Sequence, residues 1–121
     1  MVLVDTSVWI EHLRSGTVGL ELFLNDGLVV CHPFVVGELA CGSLKNRSQI
    51  LSLLDRLPSS QVSDHEEAMR FIETHQLMGK GLAYIDIHLL AAAVLTNIPL
   101  WTLDKRLSMT AASLGINFRP R

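Results

Sequence analysis

Apolar residues fall along this chain in two rhythms, short unbroken runs and stripes of helical spacing, and their alternation predicts the architecture. Val2–Val4 is an apolar run closed by Asp5, the pattern of a buried strand whose carboxyl end opens onto something polar. Thr6 or Ser7 can cap a helix that turns Val8, Trp9 and Leu13 inward and leaves Glu11, His12 and Arg14 mostly outward, until Ser15-Gly16 ends it. A short helix at 20–24 leads to the turn Asn25-Asp26-Gly27 and a second buried strand at 28–31. Pro33 suits the first turn of the next helix, where its missing N–H costs nothing. That helix runs to about Leu44 and carries Glu38 among apolar neighbours.

Asn46 can start a further helix with Ile50, Leu53, Leu54 and Leu57 on one stripe, stopped by Pro58. Residues 61–63 read as a short third strand. Ser63 and Glu66 have the spacing of a capping box ahead of Met69, Ile72 and Leu77. After the loop Gly79-Lys80-Gly81, Tyr84–Thr96 reads as a strongly apolar helix with Asp86 in its first turn. A fourth strand at 98–103 ends at Asp104, a last helix spans 105–114, and 116–118 can add an edge strand. Strands alternating with helices predict a parallel sheet of four to five strands covered on both faces. The functional crevice of such a sheet lies beyond the carboxyl ends of its strands, where Asp5 and Asp104 both stand.

The chain has 121 residues, enough for one compact domain, 1–121, with one core. Hydrophobic residues make up 49% of it, more than so small a body can hide, so another subunit or partner chain is expected to cover some of them. A formal net charge of −2 argues against coating nucleic acid with bulk positive charge, though not against a local grip through a few Lys and Arg. Cys31 and Cys41 are too few for a disulfide framework and lack zinc-site pairing, so both are expected to be reduced core residues of a cytoplasmic protein. No basic lead followed by an apolar run precedes Asp5. The most apolar stretch, 89–101, is interrupted by Thr96, Asn97 and Pro99, so a soluble protein without membrane contact is expected.

Four acids stand in unusual company. Glu38 is the only charged residue between His32 and Leu44, and Asp86 is the only acid between Glu73 and Asp104. Charged groups are rarely buried alone, and two acids at strand ends with two on apolar helices would be partners if they converged. Clustered carboxylates repel one another, and a divalent cation removes the conflict. An all-oxygen site without Cys or His favours Mg²⁺ or Mn²⁺ over zinc and suits phosphodiester hydrolysis. Each acid also has a plainer reading. Asp5 and Asp104 can be helix caps, Asp86 can gain from the helix dipole, and Glu38 can be a solvated surface residue.

The segments themselves resemble a known family. Val4-Asp5-Thr6-Ser7-Val8-Trp9-Ile10 looks like the opening of the PIN-domain family, in particular of the VapC-like toxins of bacterial type II toxin–antitoxin pairs. Phe34-Val35-Val36-Gly37-Glu38-Leu39 is similar to that family's second acidic segment. Tyr84-Ile85-Asp86-Ile87-His88 and Pro99-Leu100-Trp101-Thr102-Leu103-Asp104-Lys105-Arg106-Leu107 resemble its third and fourth. The resemblance implies a three-layer α/β/α sandwich and an endoribonuclease dependent on Mg²⁺ or Mn²⁺. It implies catalytic acids at Asp5, Glu38, Asp86 and Asp104, with Asp5 and Asp86 as direct metal ligands and Glu38 and Asp104 binding directly or through water. Thr6, Ser7 and Thr102 would hydrogen-bond those acids. It further implies an RNA substrate, a homodimer, and a cognate antitoxin that lays an apolar segment in a groove and points a basic side chain at the acids.

Lys80, Lys105 and Arg106 neighbour the acids in sequence and can meet RNA phosphates, although solvated positions explain them equally well. Tyr84 and Trp9 can stack on a base, with core packing the stronger reading for Trp9. The five histidines show no ligand spacing that converges with the acids. Three rival functions compete. A phosphoacceptor receiver domain would need an acidic pair after its first strand and a phosphorylated Asp ending a central one, which this chain lacks. A PIN-like binding module without catalysis conflicts with the complete acidic quartet. A DNA-cutting nuclease would use the same phosphodiester chemistry.

Overall fold

Val2–Val4 (β1) lies at the centre of a parallel sheet, between Val29–Val30 (β2) and Leu100–Trp101 (β3), in the order β2-β1-β3. The computed structural model describes residues 1–119. Val2 pairs with Val29 and Leu3 with Val30 on one side; Leu3 pairs with Leu100 and Val4 with Trp101 on the other. Parallel neighbours need long crossovers, and helices supply them. Thr6–Ser15 (α1) and Leu20–Asn25 (α2) connect β1 to β2. Pro33–Cys41 (α3), Arg47–Arg56 (α4), His65–His75 (α5) and Tyr84–Thr96 (α6) lie between β2 and β3, and Lys105–Ser113 (α7) follows.

Every strand residue is buried. Successive strand side chains face opposite sides, so burial of all of them requires protein on both faces of the sheet. The helices that provide it pack in two groups. One joins α1 with α2 and α3, and α3 with α4; the other joins α5 with α6, while α6 and α7 pack on β3. At the sheet's β3 side, Trp101 meets the rings of Phe23 at 5.3 Å and Phe118 at 4.9 Å.

The sheet is smaller than the expected four to five strands. Among the described residues it has three; of the segments predicted as further strands, 116–118 pairs through one residue, Asn117 with Leu100, while 61–63 does not pair and the bridge to Cys31 falls before it, at Ser59. The physical reason is local. Pro58 has no N–H to extend a ladder, so it contributes only its carbonyl, to Cys31 N–H at 2.8 Å. Gln61 and Val62 are exposed and bury too little apolar surface to draw the chain onto the sheet. Three other expectations shift. Asp5, not Thr6 or Ser7, stands before α1. The capping box of α5 uses Asp64 and Glu67 rather than Ser63 and Glu66. Cys31 is buried as expected, whereas Cys41, the last residue of α3, is exposed. Among the described residues no helix is long and apolar enough to cross a membrane. Leu22, Leu95 and Met109 are well exposed, in keeping with the apolar excess read from composition.

Candidate active site

Asp5 follows the central strand directly, and its backbone N–H donates to the Trp101 carbonyl at 2.9 Å, which ties it to β3. Its side chain is buried, 6% exposed, and does not cap α1. Instead Oδ2 accepts hydrogen bonds from Ser7 Oγ and Thr102 Oγ1, each at 2.7 Å. Both hydroxyls are directed from behind. Ser7 Oγ accepts the Leu103 N–H at 2.9 Å, and Thr102 Oγ1 accepts the Asp104 N–H at 3.0 Å. With their lone pairs engaged by backbone donors, the two hydroxyl protons turn toward Asp5 and hold its carboxylate in one orientation. The plain reading of Asp5 as a helix cap is therefore not realised.

The other acids are each held by one oxygen. Thr6 Oγ1 donates to Glu38 Oε1 at 2.5 Å, linking the first turn of α1 to the exposed face of α3. Asp86 Oδ2 accepts the Ala83 N–H at 2.8 Å, across the first turn of α6. Asp104 Oδ1 accepts the Leu107 N–H at 3.0 Å and caps α7, as its plainer reading supposed. In all four acids the second oxygen, Asp5 Oδ1, Glu38 Oε2, Asp86 Oδ1 and Asp104 Oδ2, has no hydrogen-bond partner among the described residues.

Asp86 reports on the neighbourhood. Burial raises its pKa above the ordinary carboxylate range, the Ala83 N–H opposes that, and the carboxylates of Asp5, Asp104 and Glu38 each raise it further. Three acids far apart in sequence thus act on the charge of Asp86. As the side chains stand, no three His, Cys, Asp or Glu among the described residues enclose a cation. The donor chemistry nevertheless fits a hard dication: the oxygens carry excess negative charge, each acid is steadied by one internal bond, and each keeps an oxygen free.

Of the basic residues singled out from sequence, Lys80 lies in the loop before α6, while Lys105 and Arg106 open α7; all three are exposed. Trp9 is core, 4% exposed, and Tyr84 is at the surface, where its hydroxyl meets His65 Nδ1 at 2.7 Å. The histidines stay apart from the acids' hydrogen bonds, with His32 and His88 buried. Two participants escaped the sequence reading. One is the Ala83 backbone N–H, which carries no residue signature. The other is Gly81, against which the side chain of Arg106 packs.

The parallel sheet thus carries Asp5 and Asp104 past the carboxyl ends of β1 and β3, with Glu38 on α3 and Asp86 on α6. The PIN-domain sequence profile matches residues 2–112, and the chain belongs to the PIN-domain family. It is 44% identical to Ribonuclease VapC32 of Mycobacterium tuberculosis over 117 residues, which cover 96% of this chain and 94% of that one, in both the CDC 1551 and H37Rv strains. Among solved structures it is similar in fold to PAE2754 from Pyrobaculum aerophilum, with a TM-score of 0.64 and 16% identity over 90% of this chain and 83% of that one. FitAcB from Neisseria gonorrhoeae is a second fold relative, with a TM-score of 0.59 and 22% identity over 93% of this chain and 94% of that one.

Proposed function

We propose that this chain is a Mg²⁺- or Mn²⁺-dependent endoribonuclease, the toxin of a type II toxin–antitoxin pair, built as one PIN domain and acting in the cytoplasm. The observation that carries the reading is the action of three carboxylates on the charge of Asp86, each of the four acids having one oxygen unpartnered. The relative named as a ribonuclease, similar along almost the whole chain, supports RNA as the substrate.

In this reading Asp5 and Asp86 bind the dication directly, and Glu38 and Asp104 bind it directly or through water. The bound ion lowers the pKa of water and offsets charge on the phosphate and leaving oxygen. The chain's own groups prepare the site. Ser7 and Thr102 hold Asp5 from behind, Thr6 fixes Glu38, and the Ala83 N–H keeps Asp86 turned toward the pocket. The negative pocket repels RNA unless the ion is present, so cleavage depends on it.

For the antitoxin, the reading draws on a cleft of about 620 Å³ that starts at Glu38 and runs between α1, α3 and α4. Ile10, Leu13, Leu39, Leu44 and Ile50 line it. An apolar peptide segment fits such a lining, and Glu38 at its rim would meet a basic side chain. A homodimer would cover part of the exposed apolar surface.

The test is RNA cleavage by the purified chain. Mg²⁺ is expected to support it, EDTA to stop it, and Asp5→Asn or Asp86→Asn to remove it at least about a hundredfold while the chain stays folded. Full activity in EDTA or in either variant would overturn the metal mechanism. Brief induction in bacteria, followed by sequencing of the RNA ends that accumulate, is expected to show cuts and growth arrest for the wild type and neither for Asp5→Asn.

A further inference from the structure

We infer that Arg106, seated on Gly81, is the residue that grips an RNA phosphate beside the acid pocket, and that Gly81 is the positioning residue that lets it do so. The inference rests on the nuclease reading and adds to it how the substrate is held.

Gly81 has φ +75°, a backbone conformation that side-chain-bearing residues rarely adopt. That alone would explain a glycine, as at Gly79, φ +72°, where an added Cβ would meet nothing within 4 Å. At Gly81 the space is also taken. A Cβ there would lie 2.5 Å from Arg106 Nη1, 3.0 Å from Cδ and 3.1 Å from Cζ. The guanidinium and the last methylene of Arg106 therefore rest on the bare glycine backbone. At no other glycine would an added Cβ come closer than 3.5 Å to a neighbour, the value at Gly42 toward the Leu39 carbonyl. The contact joins the two segments that carry Asp86 and Asp104. Gly81 lies two residues before Ala83, whose N–H holds Asp86, and Arg106 lies two residues after Asp104.

The charge of Arg106 is not used up within the protein. Among the described residues its side chain makes no hydrogen bond and no ion pair; the one ion pair there joins Arg14 and Glu11. The planar N–H donors of Arg106 suit the paired oxygens of a phosphodiester. RNA approaching a cluster of acids on a chain of net charge −2 needs such a local cation. Lys80 and Lys105 have the charge, but neither rests on a glycine as Arg106 does.

The experiment measures binding of a short fluorescein-labelled single-stranded RNA by anisotropy across a salt series, with the otherwise wild-type chain in Ca²⁺, which carboxylate oxygens bind in place of Mg²⁺, and with the probe checked for integrity on a gel. Adding Arg106→Ala is expected to weaken binding about tenfold or more and to flatten the slope of log affinity against log salt by about 0.7, the loss of one phosphate contact to a single strand. Arg106→Lys is expected to keep the slope and lose part of the affinity, because it holds the charge without the fork. Gly81→Ala, which displaces the end of the Arg106 side chain but keeps its charge, is expected to keep the slope, to lose part of the affinity, and to add nothing when combined with Arg106→Ala. Alanine is itself strained at this φ, so Gly81→Asn, which tolerates positive φ yet brings a Cβ, is measured alongside, with melting curves for all variants.

An Arg106→Ala slope and affinity equal to the parent's would overturn the inference. So would Gly81 and Arg106 effects that sum instead of overlapping, or a change in melting alone. Cleavage by the wild-type chain is read separately. Metal-dependent cleavage with an unchanged salt slope removes the phosphate grip and leaves the nuclease. An Arg106-dependent slope without cleavage removes the nuclease and leaves the grip.

Discussion

His32 is wholly buried before α3, where its Nδ1 accepts the Phe34 N–H at 3.0 Å. A ring nitrogen that accepts carries no proton, so the proton of the neutral ring sits on Nε2, which has no partner. The ring packs near Phe34, 5.0 Å between centroids, and His88, at 6.3 Å. Burial first, and His88 second, lower its pKa from 6.5 to about 4. The unfolded chain binds a proton here near 6.5, and the folded chain only near 4. The stability His32 contributes is therefore whole above 6.5 and is lost as pH falls toward 4, up to about 3 kcal/mol. His32→Asn keeps an acceptor for the α3 cap and removes the titration. Urea unfolding at neutral pH and again near the lower end of that range is expected to show a smaller acid loss for the variant. An equal loss in both proteins would place the acid sensitivity elsewhere.

At the level of elements, β3 does two jobs through adjacent residues. Trp101 fills the core against Phe23 and Phe118, and Thr102, next in line, holds Asp5. Packing and site geometry are thus mechanically joined. Trp101→Ala is expected to cost about 3–5 kcal/mol, with cleavage falling along with stability because Thr102 loses its footing. Trp101→Phe is expected to keep most of both. Denaturation midpoints and cleavage rates on the same preparations check this, and unimpaired cleavage by a strongly destabilised Trp101→Ala would separate the two roles. Elements also show where sequence reading reaches. Tyr84–Thr96 was legible to the residue, because thirteen positions of apolar spacing are a local property of the chain. The predicted strands at 61–63 and 116–118 were not, because a strand is completed by a distant partner, and here the first found none and the second a single bridging residue, Asn117.

Across the whole molecule, three separate segments bring the charges of Asp5, Glu38 and Asp104 to bear on Asp86, at a cost in repulsion. Asp86, raised by burial and by Asp5, Asp104 and Glu38, is less content ionised in the folded chain than in the unfolded one. Metal-free protein is therefore expected to gain stability as pH falls through the range where Asp86 takes up its proton. Asp86→Asn is expected to be at least as stable as the wild type without metal, since its amide oxygen can still accept the Ala83 N–H. Mg²⁺ is expected to raise the melting temperature of the wild type, by about 2.7 kcal/mol of stability at a hundred times its Kd, and to leave Asp86→Asn nearly unchanged. Equal metal-induced shifts in the two proteins would show that the ion binds elsewhere.

Sequence alone determined β1, the long helix bearing Asp86 and the family resemblance, because strand runs, helical stripes and short motifs are written in neighbouring residues. Tertiary structure alone decided that Asp5 answers to Thr102 across the sheet rather than to its own helix, that Glu38 is held by Thr6, and that Arg106 lies on Gly81. Those contacts join residues tens of positions apart or depend on backbone conformation and bare space, neither of which leaves a mark on the order of side chains.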